Sequence, residues 1–512
     1  MQLLGRSGRR LALAGALALA IIEPLCFWGS FAGDAEVHLV FAENASHGRF
    51  YEFNPGEQVS GETSAGYMLL GAMLFRVMRP RWVPVALKVL NLGAWYALGF
   101  FVYRVATRLL ETKRRDVTAV VAALVAALIG GSLYDANVGM ENGLFALAFW
   151  WWVDAACGSR WFSDSCAAPP LSTRRQFALS AALAASAWIR PEGVIIFICC
   201  HLYRLSSRAN RTPAALGAAI AGLTIALSPV VFQFACTGDV IATSILSRRL
   251  LAGADALKIG AIRLDLRFAE RLLVYAPLTF YFLVHVRRSW RGAQDPERIL
   301  WLLLGVFFVG YTSVTNAAHL GRYVIFLMPI LAIGAVAAAS ADWQSRAPRR
   351  RWTVALASIG FLATNIVELA YRHASYSQDL LWEAMIAPEQ RSLKTERLLA
   401  ELDRPEALPV IVALEPIQIR YGLDQRVLIR SMDGRTDRSM VAHSPSGVVD
   451  YVRYVSDSDI QYMYAPPGSV ARSWPRAWAD LQPGTSSTAD GLQIKRLRSG
   501  VFQVSNRPRR GR

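Results

Sequence analysis

The chain predicts an α-helical polytopic membrane protein of about eleven spans that ends in a water-soluble α/β domain, and three observations carry that prediction. Hydrophobic residues make up 54% of its 512 positions and the mean hydropathy is +0.29, beyond what a soluble enzyme of this length shows. Apolar runs near the length of a bilayer core recur at 11–31, 88–106, 117–133, 142–157, 176–190, 191–204, 213–234, 269–286, 298–315, 322–340 and 352–371. After residue 372 the long runs give way to short, alternating ones.

Charge excludes one class of function and orients the rest. A formal net charge of +17 would point to nucleic acid in a soluble protein. Here Lys and Arg gather at the ends of apolar runs, so the charge reports topology and no nucleic-acid partner is expected. The six cysteines, Cys26, Cys157, Cys166, Cys199, Cys200 and Cys236, have neither metal-site spacing nor the pattern of a disulfide framework.

The first element is basic at Arg6, Arg9 and Arg10 and apolar to Phe31, without a small-residue cleavage site, which predicts a retained span. A polar, acid-bearing loop follows over 33–64. The apolar segment at 67–78 is too short to cross, and an interfacial helix there returns Arg104, Arg108, Lys113, Arg114 and Arg115 to the cytoplasm. With that choice Arg174 and Arg175, Arg204 and Arg208, Arg287 and Arg288, and Arg349 to Arg351 also become cytoplasmic. The amino terminus is then inside and the tail outside. Polar sequence collects on the outer face, at 32–87, 134–142, 190–193, 235–268 and 316–322, and in everything after 372. No helix-pair repeat is visible, nor the matched pair of broken spans that many transporters carry. Within the run at 142–157, Trp150, Trp151 and Trp152 read as an aromatic belt.

In the tail, 372–506, helices are expected at QDLLWEAM and EQRSLKTERLLAEL. Strands are expected at LPVIVAL, QRVLIRSM, DIQYMYA and LQIKRLRSGVFQV, and the closing RPRRGR, 507–512, reads as a solvated basic tail.

Acids at a bilayer surface are candidates for chemistry. Asp34 and Glu36 stand where the chain leaves its first span, where a carboxylate could take the proton of a sugar hydroxyl as that oxygen attacks an activated anomeric carbon. Asp135, Asn137 and Glu141 share a short outer loop and could hold sugar hydroxyls or a divalent cation, although one loop alone supplies too few oxygens for a hard metal. Arg190, Arg322 and His319 lie at outer span ends suited to a phosphate, with Glu192 as an alternative ion-pair partner for Arg190. Asn54, Glu57 and Glu62 fit either substrate binding or a local structural role, since Asn-Pro-Gly reads as a turn.

The run AENASHGRFYEFNPGEQVSGETSAGYMLLGAML resembles the first external loop of bacterial polytopic glycosyltransferases of the GT-C class, in particular those related to terminal arabinofuranosyltransferases. The matching positions are Asp34, Asn44, Gly48, Asn54-Pro55-Gly56-Glu57, Gly61 and Thr63-Ser64. Gly139-Met140-Glu141 is similar to the family's Gly-Met-Glu-Thr motif, Arg190 to Gly193 to its Arg-Pro-Glu-Gly turn, and GRYVIFLMPILA to its later Arg-Tyr segment. The likeness spans roughly 11–371 and is loose in the tail. Gly33 stands where a first Asp is expected, Glu36 replaces an aromatic residue and Val40 a frequent Arg. The 235–268 loop lacks a Pro-Asn-Thr signature and keeps Thr243, Arg248 and Arg249 as partial counterparts.

The resemblance implies an inverting transferase at the outer face of a bacterial cytoplasmic membrane. Its donor would be a polyprenyl-phosphate sugar and its acceptor a cell-envelope glycan or lipid-linked acceptor. Asp34 would be the general base with Glu36 as substitute or partner, and Arg190, His319, Arg322, Arg248 and Arg249 would receive the donor phosphate. A flippase for lipid-linked sugars and a non-enzymatic envelope assembly factor are the alternatives. The first predicts movement without a new glycosidic bond, the second no turnover.

Overall fold

A computed structural model of the chain describes residues 21–22, 24–110, 115–128, 132–159, 161, 171–246, 257–259, 262–264, 266–290, 295–314, 325–345, 347–376, 380–401, 410–413, 420–424, 426–431, 460, 462–464, 486–489, 492–498 and 501–506. The first two helices are α1 (Gly33–Ser46) and α2 (Ala65–Val77), joined through β1 (Glu52–Asn54) and β2 (Glu57–Gln58). Then come α3 (Val83–Leu109), α4 (Arg115–Leu128), α5 (Ser132–Asn137), α6 (Asn142–Gly158), α7 (Thr173–Ile189), α8 (Glu192–Ser206) and α9 (Pro213–Thr237). After the hairpin β3 (Leu257–Ile259) and β4 (Ile262–Leu264) follow α10 (Leu266–Ser289), α11 (Asp295–Val314), α12 (Met328–Gln344), α13 (Pro348–Tyr376) and α14 (Leu380–Glu401). The described residues of each expected apolar segment from 88–106 onward are largely helical, while 129–131, 322–324 and most of 11–31 lie outside the described residues. Among the described residues three helical stretches are long and apolar enough to cross a membrane by length and composition, Pro80–Leu109, Pro213–Thr237 and Ile325–Gln344.

The chain folds into two compact units. The first comprises Met1–Phe31, Val85–Pro229 and Leu257–Leu381. Within it α12 packs against α10, α4 and α13, and a continuous apolar core includes Trp95, Phe145, Phe149, Phe326 and Leu327. Trp150 and Trp152 belong to that core and not to an aromatic belt, with their indole N–H groups donating to Phe326 O at 2.7 Å and Leu179 O at 2.9 Å. A buried indole needs such an acceptor. Only Trp151 of the three is exposed. The ends of α3 and α6 are tied by Arg108 and Arg104 on Asp154, at 2.5 and 3.3 Å, and those of α10 and α12 by Arg288 on Asp342 at 2.8 Å.

The second unit comprises Ala32–Pro84, Val230–Ala256 and Trp382–Arg512, so the tail shares a unit with the acid-bearing segment 33–64. Its mixed six-stranded sheet has the order β6-β5-β7-β10-β9-β8, with β5 (Val410–Ala413), β6 (Leu428–Ser431), β7 (Tyr462–Tyr464), β8 (Ser486–Ala489), β9 (Leu492–Arg498) and β10 (Val501–Asn506). β5 runs parallel to both β6 and β7, and the other pairings are antiparallel. β5, β6, β7, β9 and β10 lie in the tail's expected apolar runs, the two expected helices form the single α14, β8 falls in a polar stretch where no strand was expected, and 507–512 falls outside the described residues.

The acid-bearing segment 33–64 is not one long loop. Its front half is α1, whose first turn carries Asp34 and Glu36, the charge sign that a helix N-terminus favours. The chain then turns through Gly48 (φ +81°) and Tyr51 (φ +57°) into a two-residue β-turn, Pro55-Gly56 between paired Asn54 and Glu57. Pro ahead of a Gly at φ +76° is the combination such a turn requires, and a side chain at Gly56 would be strained. α2 is a 13-residue helix that packs on α1 through Tyr67, Met68, Gly71 and Ala72, shorter than a span.

Candidate functional site

In the second unit the acids of α1 separate. Residues at i and i+2 of a helix project about 200° apart, so Asp34 and Glu36 cannot serve one atom as a pair. Asp34 is half-buried while Glu36 is 4% exposed. Burial, with Glu383 beside it and Lys394 partly opposing, pushes the Glu36 carboxyl up to about 8. Its Oε2 has no hydrogen-bond partner among the described residues. Two turns further along the same face, Glu43 accepts from Arg391 Nη1 of α14 at 2.7 Å. Arg391 Nε donates to Tyr421 O at 2.9 Å, and its guanidinium stands over the Tyr421 ring at 4.7 Å. Tyr421 is 2% exposed, and its Oη, like Arg391 Nη2, has no hydrogen-bond partner among the described residues beyond the interaction of these two side chains with each other. Burial, then Glu43, pushes the Tyr421 hydroxyl up, with Arg391 partly opposing.

The Asn-Pro-Gly-Glu turn does structural work in this unit. The Asn54 side chain pairs with the backbone of Ile429 in both directions, Nδ2 donating to Ile429 O at 2.8 Å and Oδ1 accepting from Ile429 N at 2.9 Å. Glu57 takes Arg430 bidentately at 2.8 and 2.5 Å, and Arg420 Nε donates to Phe53 O at 3.2 Å. The hairpin is thereby pinned to β6. Glu62 is 1% exposed and bonded to His38 Nδ1 at 2.5 Å and to the Ser64 amide at 2.6 Å, which leaves it within the wall of the segment. Thr243 ties 235–246 to the same wall, its amide donating to Ser60 O at 3.0 Å.

In the first unit a second cluster forms around Arg190, which ends α7 in extended conformation and is 4% exposed. Its Nη2 and Nε donate to the Glu192 carboxylate at 3.0 and 3.3 Å, and Nη1 lies 3.5 Å from Glu141 and donates to Asn142. Gly193 permits this turn, since a Cβ there would stand 2.5 Å from Ala187 N. Arg190 is thus the centre of an ion-pair cluster with Glu192 and Glu141, the first of which is the partner the sequence offered as an alternative. Asp135 is buried, and its backbone carbonyl accepts from Asn142 Nδ2 at 3.0 Å. Asn137, fully buried, donates to Pro24 O at 3.0 Å.

His319, Arg322, Arg248 and Arg249 lie outside the described residues. Among the described residues no group of three or more His, Cys, Asp or Glu side chains is disposed to hold a metal ion. Sequence reasoning passed over Lys88, which is fully buried in the first unit and donates to Phe27 O at 3.0 Å and Ser30 O at 2.5 Å. Its signal was a cation at the head of an apolar run. Arg391 and Tyr421 were also passed over, because nothing near them in sequence marks them.

No protein-family model and no curated protein matches the chain. Solved structures do, and the fold they define is that of the GT-C glycosyltransferases. ArnT from Cupriavidus metallidurans, bound to undecaprenyl phosphate, is similar with a TM-score of 0.52 and 13% identity, over 88% of this chain and 92% of that one. The Archaeoglobus fulgidus oligosaccharyltransferase tethered with an acceptor peptide gives 0.51 and 12% identity, over 88% and 68%. AglB from the same organism, in complex with an inhibitory peptide and a dolichol-phosphate, gives 0.52 and 10%, over 88% and 69%.

Proposed function

We propose that this chain is an inverting membrane glycosyltransferase that moves a sugar from a polyprenyl-phosphate donor to a cell-envelope glycan or lipid-linked acceptor. The sugar is arabinofuranose or another pentose or hexose. The observation that carries the reading is the GT-C fold combined with an acid-bearing helix, α1, directly after the first apolar segment. Lipid phosphates in ArnT and AglB support a lipid donor by analogy.

In the reaction the acceptor hydroxyl oxygen bonds to the anomeric carbon as the bond from that carbon to the phosphate oxygen breaks. The phosphate leaves with the electron pair, and a carboxylate takes the hydroxyl proton. Asp34 is assigned as that base. Glu36, neutral at pH 7 when its carboxyl titrates near 8, orients the acceptor by donating a hydrogen bond. The leaving phosphate falls to Arg248, Arg249, His319 and Arg322, since Arg190 is held by Glu192 and Glu141. The protein would sit in a bacterial cytoplasmic membrane with about eleven spans, its amino terminus inside and its tail outside. The ion pairs of Arg104 and Arg108 with Asp154, and of Arg288 with Asp342, join helix ends that this threading assigns to the cytoplasmic side, and so support it.

The test is turnover. The full chain in lipid nanodiscs is supplied with a panel of prenyl-phosphate pentoses and hexoses and envelope glycan acceptors, and product is sought by mass spectrometry. Product from wild type and its loss in Asp34→Asn support the reading. Lipid-linked sugar crossing the bilayer without a new glycosidic bond would replace it with the flippase, and no turnover of any kind with the assembly factor.

A further inference from the structure

Within the second unit, the face of α1 that carries Glu36 and Glu43 is met by a polar stripe on α14, Glu383, Arg391 and Lys394, and by Tyr421. The floor of this seam is buried and its rim is not: Glu36 and Tyr421 are 4% and 2% exposed, Arg391 and Lys394 half-buried, Glu383 exposed. Glu36 Oε2 on the seam has no hydrogen-bond partner among the described residues, and Tyr421 Oη and Arg391 Nη2 have none beyond the interaction of these two side chains with each other. Buried polar groups are almost always satisfied, so the seam is short of partners, at Glu36 above all.

We infer that the seam between α1, α14 and Tyr421 is a subsite for a neutral, hydroxyl-rich ligand, the glycan acceptor, and that Tyr421 and Arg391 position its hydroxyls beside Glu36. This rests on the glycosyl-transfer reading for the word acceptor, but not for the site. The charges already have partners. Three carboxyl groups, Glu36, Glu43 and Glu383, face Arg391 and Lys394, with Arg420 and Arg49 beside Glu43, so acid and base are close to balance. Arg391 gives Nη1 to Glu43, Arg420 serves the carbonyls of Phe53 and Asp424, and Arg49 serves Asn44, which leaves no cluster of cations open to a phosphate, whereas a sugar hydroxyl can both accept from Arg391 Nη2 and donate to Tyr421 Oη. The inside of the seam therefore belongs to the acceptor, not to the donor's phosphate.

The variant that isolates the claim is Tyr421→Phe, which removes the hydroxyl and keeps the buried ring under the Arg391 guanidinium, while Arg391 keeps its bonds to Glu43 and to the Tyr421 carbonyl. Arabinan-, galactan- and mannan-derived trisaccharides, with inorganic phosphate as a contrast, are titrated into the donor-free full chain in nanodiscs by calorimetry. At least one trisaccharide binds wild type, and Tyr421→Phe weakens it about tenfold, the loss of one neutral hydrogen bond, with thermal stability unchanged. In turnover the same variant raises the acceptor KM about tenfold and leaves the donor KM in place. No trisaccharide binding, equal binding in Tyr421→Phe, or displacement of the sugar by phosphate overturns the subsite. Tyr421-dependent sugar binding without any transfer keeps the subsite and sinks the glycosyltransferase reading, and transfer with a Tyr421-independent acceptor KM does the reverse.

Discussion

Replacing Glu36 by Gln tests the electrostatics of α1 directly. A carboxyl whose pKa is raised from 4.5 to about 8 keeps its proton in the folded protein while the unfolded chain has already lost it. Between those two values the unfolded state therefore binds fewer protons, and stability falls as pH rises. Below about 4.5 both states are protonated and the residue is neutral in its effect, and above about 8 the penalty is complete. At about 1.4 kcal/mol per unit, the shift sets an upper bound of roughly 5 kcal/mol, which relaxation and water entry cut to a few kcal/mol. Glu36→Gln has the same shape, stays neutral at every pH and removes that penalty. Its melting temperature should match wild type at pH 4.5 and exceed it by roughly 5–10 °C at pH 8.5, at about 2–4 °C per kcal/mol. The assay is thermal unfolding of the full chain across that pH range. A gain that does not grow with pH, or no gain at pH 8.5, refutes the buried, proton-holding Glu36. Because Gln also preserves a hydrogen-bond donor, transfer by Glu36→Gln should stay within about tenfold of wild type.

Asp34→Asn, by contrast, should lower transfer by about 10²–10⁴-fold with little change in melting, read as initial rates on matched nanodisc samples. If Glu36→Gln abolishes transfer while Asp34→Asn retains it, the two acids exchange roles. Asn54→Ala strips both backbone groups of Ile429 and should cost about 2–4 kcal/mol by denaturant titration, against about 1 kcal/mol or less for Glu57→Gln, whose ion pair with Arg430 is partly exposed. Lys88→Met leaves the Phe27 and Ser30 carbonyls without their shared donor and should destabilise the first unit by about 2–4 kcal/mol in the same titration. Arg190→Met, which leaves Glu141 and Glu192 buried together, should cost about 3–5 kcal/mol and more than Glu192→Gln.

What the sequence reveals here follows from how far each signal reaches along the chain. Long apolar runs announce helices because a bilayer-length segment needs no distant partner to be recognised, and the described residues of those from 88–106 onward are largely helical. α1 escapes that test for a physical reason. From Ala35 to Ala42 every residue is buried, including Glu36 and His38, so there is no solvent face to impose a 3.6-residue period on the sequence. Read as a loop, the segment suggested an acid pair. As a helix it sends the two acids to different places. Pro55 and Gly56 announced a turn, but the partner of Asn54 is 375 residues away, and nothing local distinguishes a residue that clamps β6 from one that grips a sugar. Arg190 and Glu192 are adjacent enough for their pairing to be weighed from sequence alone, whereas Glu141, from another helix, is not.

The same distance rule separates the two parts of the candidate site. Asp34 was legible because it follows the first apolar run and carries a family-like motif behind it. Arg391 and Tyr421 were not, because their meaning comes only from Glu43 and Glu36, brought to them by the fold. A raised Glu36 carboxyl is costly to stability, and a fold keeps such a group where a ligand repays it. With Asp34 on the opposite side of α1, proton abstraction and acceptor binding need not compete for one carboxylate. A single helical turn would then supply a base that must be charged and a donor that must not be, and burial holds Glu36 in the second of those states.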